Sequence, residues 1–360
     1  MVLAVPLLLS VVLSVEDAAD DTVIVSGPIG QALDAYLQKV VDSGANGTVL
    51  VGCQGALVLC KGYGQANKED GTPCRPDTVY DIGSITKQFT AAAILKLEMA
   101  HKLLVTDSID KYFSDVPVDK KAITLHHLLT HSAGLIDVLG DDYVVLERDD
   151  MIKQAMQSKL RWAPGTRYAY SNLGYSLLAA IVELVSGDAY EEFLEQNLFA
   201  PASMKHTGYR LPAWDLKRLA VGYEHGSRWG TPLDHLWAED GPYWNLRGNG
   251  GILSTARDMY RWHLALAGEE ILSREAKDKL FKPQVAEDDS GRSHYGYGWV
   301  IQPTDRGTRL IWHNGGNGVF FADFWRYVDE DIVIFLATSE ADRSRQRVTA
   351  ELARIAREKR

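Results

Sequence analysis

Apolar residues recur at helical spacing from Ile29 to Asp42, where Ile29, Leu33, Tyr36, Leu37, Val40 and Val41 share one face and predict an amphipathic helix. The period then changes. Thr48 to Val51 and Ala56 to Lys61 are β-rich runs meeting at Gln54-Gly55, which reads as a hairpin. From Ser84 to about Pro283 helical runs and long loops take over. One helix is expected from Ser84 through QFTAAAILKLEMAHKL, and a second over LGYSLLAAIVELV with Gly187 as its stop. A third is expected to start at Asp188, with Glu191 completing a capping box, and to end before Pro201. Strand patterns return at Thr308 to Trp312, Val319 to Tyr327 and Asp331 to Thr338, and a closing helix is expected over Ala341 to Glu358.

This order predicts an α+β fold in which both chain ends build one antiparallel sheet, flanked by the N- and C-terminal helices. The expected parts are a sheet domain from residues 23–84 and 290–360 and a mainly helical inserted domain, 85–289. A pocket between two such lobes suits a small molecule. Residues 1–22 stand apart. Their opening MVLAVPLLLSVVLSV has no charged side chain and is shorter than a bilayer span of roughly 20 residues, as in the apolar segment of a signal peptide. A periplasmic or secreted protein is therefore expected, without a stable membrane anchor. The alternative is a buried or disordered segment on a cytoplasmic protein.

Composition narrows the function. With 46% hydrophobic and 24% charged residues in 360, the chain has enough apolar material for a large core. Its net charge of -10 and lack of any Lys/Arg run argue against nucleic acid and anionic membranes as partners. Cys53, Cys60 and Cys74 have no metal-ligand spacing, allow at most one bridge, and read as small apolar residues.

The candidate chemistry begins in DIGSITKQFTAA, where Ser84 and Lys87 lie three apart on one helix face, close enough to share a proton. For Lys87 to act as a base its pKa must fall by roughly 3 units from about 10.4, which burial and positive potential would achieve. A helix N-terminus at Ser84 supplies such potential, and its amide is one candidate oxyanion donor. The spacing alone is weak: about one SxxK is expected by chance in a chain this long, and Ser108-Lys111 shares it among Asp107 and Asp110, as a solvated helix start would.

Two further motifs give it context. Tyr170 and Asn172 in RYAYSNLGY offer a phenol that can relay a proton and a carboxamide that can accept from Lys87. A packed Tyr and a capping Asn are the plain alternative, and Tyr243-Asn245 repeats the pattern. In IWHNGGNG a strand delivers His313, Gly315 and Gly316. The glycines let backbone approach a ligand, Gly316 as a second oxyanion donor, and His313 is expected over the substrate as a hydrogen-bonding or weakly cationic group. A glycine turn with an incidental His is the alternative.

In this order SxxK, YxN and HxG resemble the three motifs of the serine β-lactamase and penicillin-binding-protein superfamily, in its class C-like branch. That branch includes β-lactamases, D-alanyl-D-alanine carboxypeptidases, D-aminopeptidases and carboxylesterases. The resemblance extends over KGYG at 61–64, TLHHLLTHSAGL at 124–135, GNGGILSTARDM at 248–259 and YGYGW at 295–299. It implies a β-lactamase-like fold and an acyl-enzyme on Ser84, with Lys87 and Tyr170 as base and relay and Asn172, His313, Gly315 and Gly316 binding substrate. The third motif departs from the usual Lys, Thr or Ser, Gly. A His of pKa about 6.5 is mostly neutral at pH 7, so esters or amides are expected as substrates ahead of penicillins. A D-amino-acid peptidase, a carboxypeptidase and an acylatable sensor that does not turn over are the rivals. No cofactor is expected. His126, His127 and His131 lack a carboxylate or Cys at ligand spacing, so no metal is expected either. Tyr223, Trp229, Trp237, Tyr243 and Trp244 are candidates for an acyl pocket or for ordinary packing.

Overall fold

The computed structural model of the chain describes residues 20–42, 44–341 and 345–359. The apolar opening segment lies outside them. Among the described residues nine strands form one sheet: β1 (Ile24–Val25), β2 (Gly47–Cys53), β3 (Ala56–Tyr63), β4 (Val285–Ala286), β5 (His294–Tyr295), β6 (Val300–Pro303), β7 (Arg309–Gly316), β8 (Phe321–Tyr327) and β9 (Ile332–Thr338). Their order is β1-β3-β2-β9-β8-β7-β6-β5-β4, antiparallel throughout. The predicted hairpin is β2–β3, turning through Gln54 and Gly55 with φ of 52° and 73°. Chain start and chain end meet at β2–β9, where Val51 pairs with Ile334.

The helices are α1 (Gly27–Val41), α2 (Thr86–Met99), α3 (Leu125–Leu129), α4 (Arg148–Gln157), α5 (Asn172–Ser186), α6 (Tyr190–Leu194), α7 (Ala256–Ala267), α8 (Arg274–Leu280) and α9 (Arg345–Glu358). One sheet face packs on α1 and α9, where Leu33, Leu37, Val348 and Leu352 meet Val49, Val51 and Ile334. The other face, with Leu50, Phe324 and Phe335, joins the larger core of α2, α5 and α7. With both faces covered, every residue of β2 and β9 is buried, which is why GTVLVGC and IVIFLAT read as unbroken runs. Residues from within 85–289 also serve the sheet: β4 is its edge strand and α7 packs on β2 and β9. Among the described residues no helix is long and apolar enough to cross a membrane.

α5 begins at Ser171, whose hydroxyl accepts from Gly174 N–H, and stops at left-handed Gly187, as its sequence predicts. The third helix differs. α6 starts at Tyr190, its N-cap Ala189 makes no side-chain cap, and the expected capping box does not form. Glu191 instead turns its buried carboxylate to the backbone N–H groups of Tyr209, Arg210 and Leu211. Three amides from one turn hold it more firmly than a single cap amide would. The closing helix is described from Arg345 onward, and Ala341 lies outside it.

Candidate active site

Ser84 lies in a tight 3-10 turn, Gly83–Ile85, that leads into α2. Gly83 has φ of +50°, and a Cβ on it would stand 2.3 Å from the Gly316 amide nitrogen. A Cβ on Gly315 would stand 2.0 Å from Ile82 O and 2.5 Å from Ser84 N. Only glycines allow the end of β7 to lie this close to the serine turn, bringing the Gly316 and Ser84 amides to one place. Asp81 fastens the contact: its Oδ1 accepts from Gly83 N–H at 2.7 Å and its Oδ2 from Asn317 Nδ2 at 3.1 Å. Burial raises the Asp81 carboxyl to about 7.

Lys87 is fully buried one turn after Ser84. Its Nζ is 3.0 Å from Ser84 Oγ and 2.7 Å from both Asn172 Oδ1 and Asn249 O. Asp137 fixes which Asn172 atom faces the lysine, because its Oδ1 accepts from both Asn172 N–H and Asn172 Nδ2, leaving Oδ1 toward Lys87. Two of the three partners are carbonyl oxygens that only accept. A neutral Lys87 must therefore direct its two N–H bonds to them and its lone pair to the serine. Desolvation lowers the Lys87 ammonium to about 7, against the opposing charges of Asp137 and Asp142.

Tyr170 lies beside Ser84, which opposes the rise of its phenol, and its ring centroid is 4.8 Å from Lys87 Nζ. Burial pushes its phenol well above the usual range, so it stays protonated at neutral pH. His131, weighed in the sequence only as a metal ligand, lies against the Tyr170 ring at 4.3 Å and accepts from Ser171 N–H through Nδ1. His126 instead meets the Tyr297 hydroxyl, and His127 caps α3 with Thr124. Among the described residues no three His, Cys, Asp or Glu side chains group as metal ligands.

His313 was expected as a hydrogen-bonding or weakly cationic group. It is 4% exposed, with Nε2 2.9 Å from the Tyr295 hydroxyl and Nδ1 2.5 Å from Asn314 O. Burial, helped by the Lys87 charge, lowers it to about 3, so it is neutral and not a weak cation over the substrate. The sequence also gave no weight to Asp81, Asp137, Tyr295, Asn249 or Asn317. Asn249 acts through its backbone, and its side chain donates to Ser176 Oγ and Asn245 O, so the decoy Asn245 supports the site from behind. The decoy Lys111 pairs with Asp107 on the surface. Trp237 and Trp244 are core residues, whereas Trp229 lies over His235 and edge-on to Phe320.

A family profile described as Beta-lactamase matches residues 33–358. The chain belongs to the beta-lactamase family. Among relatives, this beta-lactamase-family chain is 29% identical over 317 residues to Penicillin-binding protein 4* of Bacillus subtilis (strain 168), covering 82% of this chain and 69% of the relative. It is 31% identical over 274 residues to PbpX of the same strain, covering 76% of this chain and 66% of that one. The chain thus spans about two thirds of each. The crystal structure of a penicillin-binding protein from Bacillus halodurans superposes with a TM-score of 0.77 at 28% identity, covering 90% of this chain and 98% of the other. The family's α+β fold, an antiparallel sheet with terminal helices and a helical insertion, is the one seen here.

Proposed function

We propose that this protein hydrolyses small esters or amides through an acyl-enzyme on Ser84. The observation that carries the reading is Lys87: fully buried, 3.0 Å from Ser84 Oγ, and lowered to about 7. Neutral Lys87 takes the serine proton as Oγ attacks the carbonyl carbon, and the oxyanion lies against the amides of Ser84 and Gly316. The leaving group departs with a proton relayed from Lys87 through the Tyr170 phenol. Water then attacks the acyl carbon, giving its proton to Lys87, and Ser84 is released with the acid product. Asn172 holds Lys87 and offers its amide to the acyl carbonyl.

Neutral His313 supports the choice of substrate, since this position presents no charge to a substrate carboxylate. Similarity to penicillin-binding proteins favours a second reading, a D-Ala-D-Ala carboxypeptidase or weak β-lactamase. A panel of p-nitrophenyl butyrate, a D-Ala-D-Ala peptide and nitrocefin on wild type and Ser84→Ala sorts these. Ester turnover lost in Ser84→Ala, with a serine-directed phosphonate adding its mass to Ser84, is expected. Absence of both hydrolysis and adduct refutes the acyl-enzyme.

A further inference from the structure

No run of basic residues occurs in the sequence, yet the fold gathers cations from three segments. A cavity of about 510 Å³ lies between the end of α7, α8 and the outer parts of β7 and β8. Five basic side chains line it, Arg274, Lys277, Lys282, Arg309 and Arg326, against two acidic ones, Asp278 and Asp331. In a chain of net charge -10 this is a local reversal of sign.

Arg326 is the decisive residue. It is 3% exposed, and among the described residues no carboxylate lies within ion-pair distance of it. Its Nε donates to His263 Nδ1 at 3.1 Å, and its guanidinium carbon is 5.2 and 5.6 Å from the ring centroids of Phe281 and Trp299. Nη1 is buried with no acceptor. Burial lowers Arg326 only to about 9, so it remains charged at pH 7. His263, lowered by burial and by Arg326 to about 3, is neutral and cannot balance that charge. Where the chain buries Arg247, by contrast, it supplies Asp240 in a two-armed pair. A buried guanidinium without an anion carries a large desolvation cost, which an anionic ligand would offset.

The rim supplies further charge. Arg309 is taken up by Asp329, but Arg274, Lys277 and Lys282 have no carboxylate partner among the described residues. Four unneutralised cations match a multiply charged oxyanion better than a single carboxylate. We propose that this cleft binds a phosphate group, free or carried on a small organic ester, with Arg326 as its buried anchor and Arg274, Lys277 and Lys282 at its rim. It is separate from the serine: Ile311 in its wall lies five residues before Gly316 on β7, about 17 Å at the rise of a strand.

Titration calorimetry of the full chain with inorganic phosphate, glycerol 3-phosphate and acetate, at constant ionic strength, tests this. Saturable binding of a phosphate is expected, weakened about tenfold by Lys282→Glu or Arg274→Glu, lost in Arg326→Met, and retained in Ser84→Ala. Tighter binding of glycerol 3-phosphate than of phosphate would assign the cavity to an ester, and equal binding to the free anion. No saturation by ~20 mM of either phosphate, equal affinity for acetate, or indifference to both rim variants would overturn the proposal. The rim variants change exposed side chains and decide the matter even if Arg326→Met does not fold.

Discussion

Asp81 and Asn317 meet through a 3.1 Å hydrogen bond that ties the turn carrying Ser84 to the end of β7. Asn317 cannot flip its amide, because its Oδ1 accepts from Val319 N–H and Phe320 N–H. Asp81→Asn then sets two NH₂ groups face to face. A fall in kcat of about 100-fold with KM little changed is expected, since a misplaced oxyanion donor weakens the transition state selectively. Adding Asn317→Asp restores donor to acceptor, and steady-state kinetics of the double variant should recover most of the loss.

Lys87 sets the acid limb of activity. With its ammonium at about 7, kcat/KM should rise tenfold per pH unit below that value and level off above it. Neutral His313 adds no inflection near 6.5. Profiles from pH 5 to 9 check both.

Asp137→Asn separates charge from geometry, because the new amide oxygen can still accept from Asn172. The Asp137 carboxylate raises Lys87, so its removal should move the acid limb to lower pH. An unmoved limb would show that Asp137 acts only by holding Asn172.

Gly315→Ala puts a methyl group 2.0 Å from Ile82 O. The strand or the serine turn must then shift. A loss of about 100- to 1000-fold in kcat is expected, together with a lower melting temperature.

Stability should carry the mark of a buried acid. Asp323 is fully buried, accepts from Trp325 Nε1 at 2.6 Å, and is raised to about 7. An unfolded Asp ionises near 3.9, so from about pH 4 to 7 the folded state holds the extra proton and stability from this group falls as pH rises. Urea unfolding should show a less steep fall over that window in Asp323→Asn than in wild type.

The fold was readable because helical and strand periods differ, and Gly187 and Gln54-Gly55 punctuate them where the chain does turn. Ser84, Lys87, Tyr170 and Asn172 came from two short motifs, and the structure brings Lys87 within hydrogen-bonding distance of Ser84 and Asn172 with the Tyr170 ring against it. What could not be read were contacts across long separations. Asp137 lies 35 residues from Asn172, Asn249 lies 162 from Lys87, and Asn317 lies 236 from Asp81. His313 could be read only as a hydrogen-bonding or weakly cationic group, because a sequence gives its residue type but not the Tyr295 hydroxyl and the burial that keep it neutral. Glu191 was misread for the same reason: its three amide donors come 18 to 20 residues later.

The pairing of β2 with β9 also orders events in time. A ribosome that has released only the first 300 residues has already delivered Ser84 and Lys87, but β7 to β9, which complete the sheet and carry Gly315 and Gly316, do not yet exist. Ser84 thus cannot meet the Gly316 amide before β7 has been made, nor within a completed sheet before synthesis has passed β9.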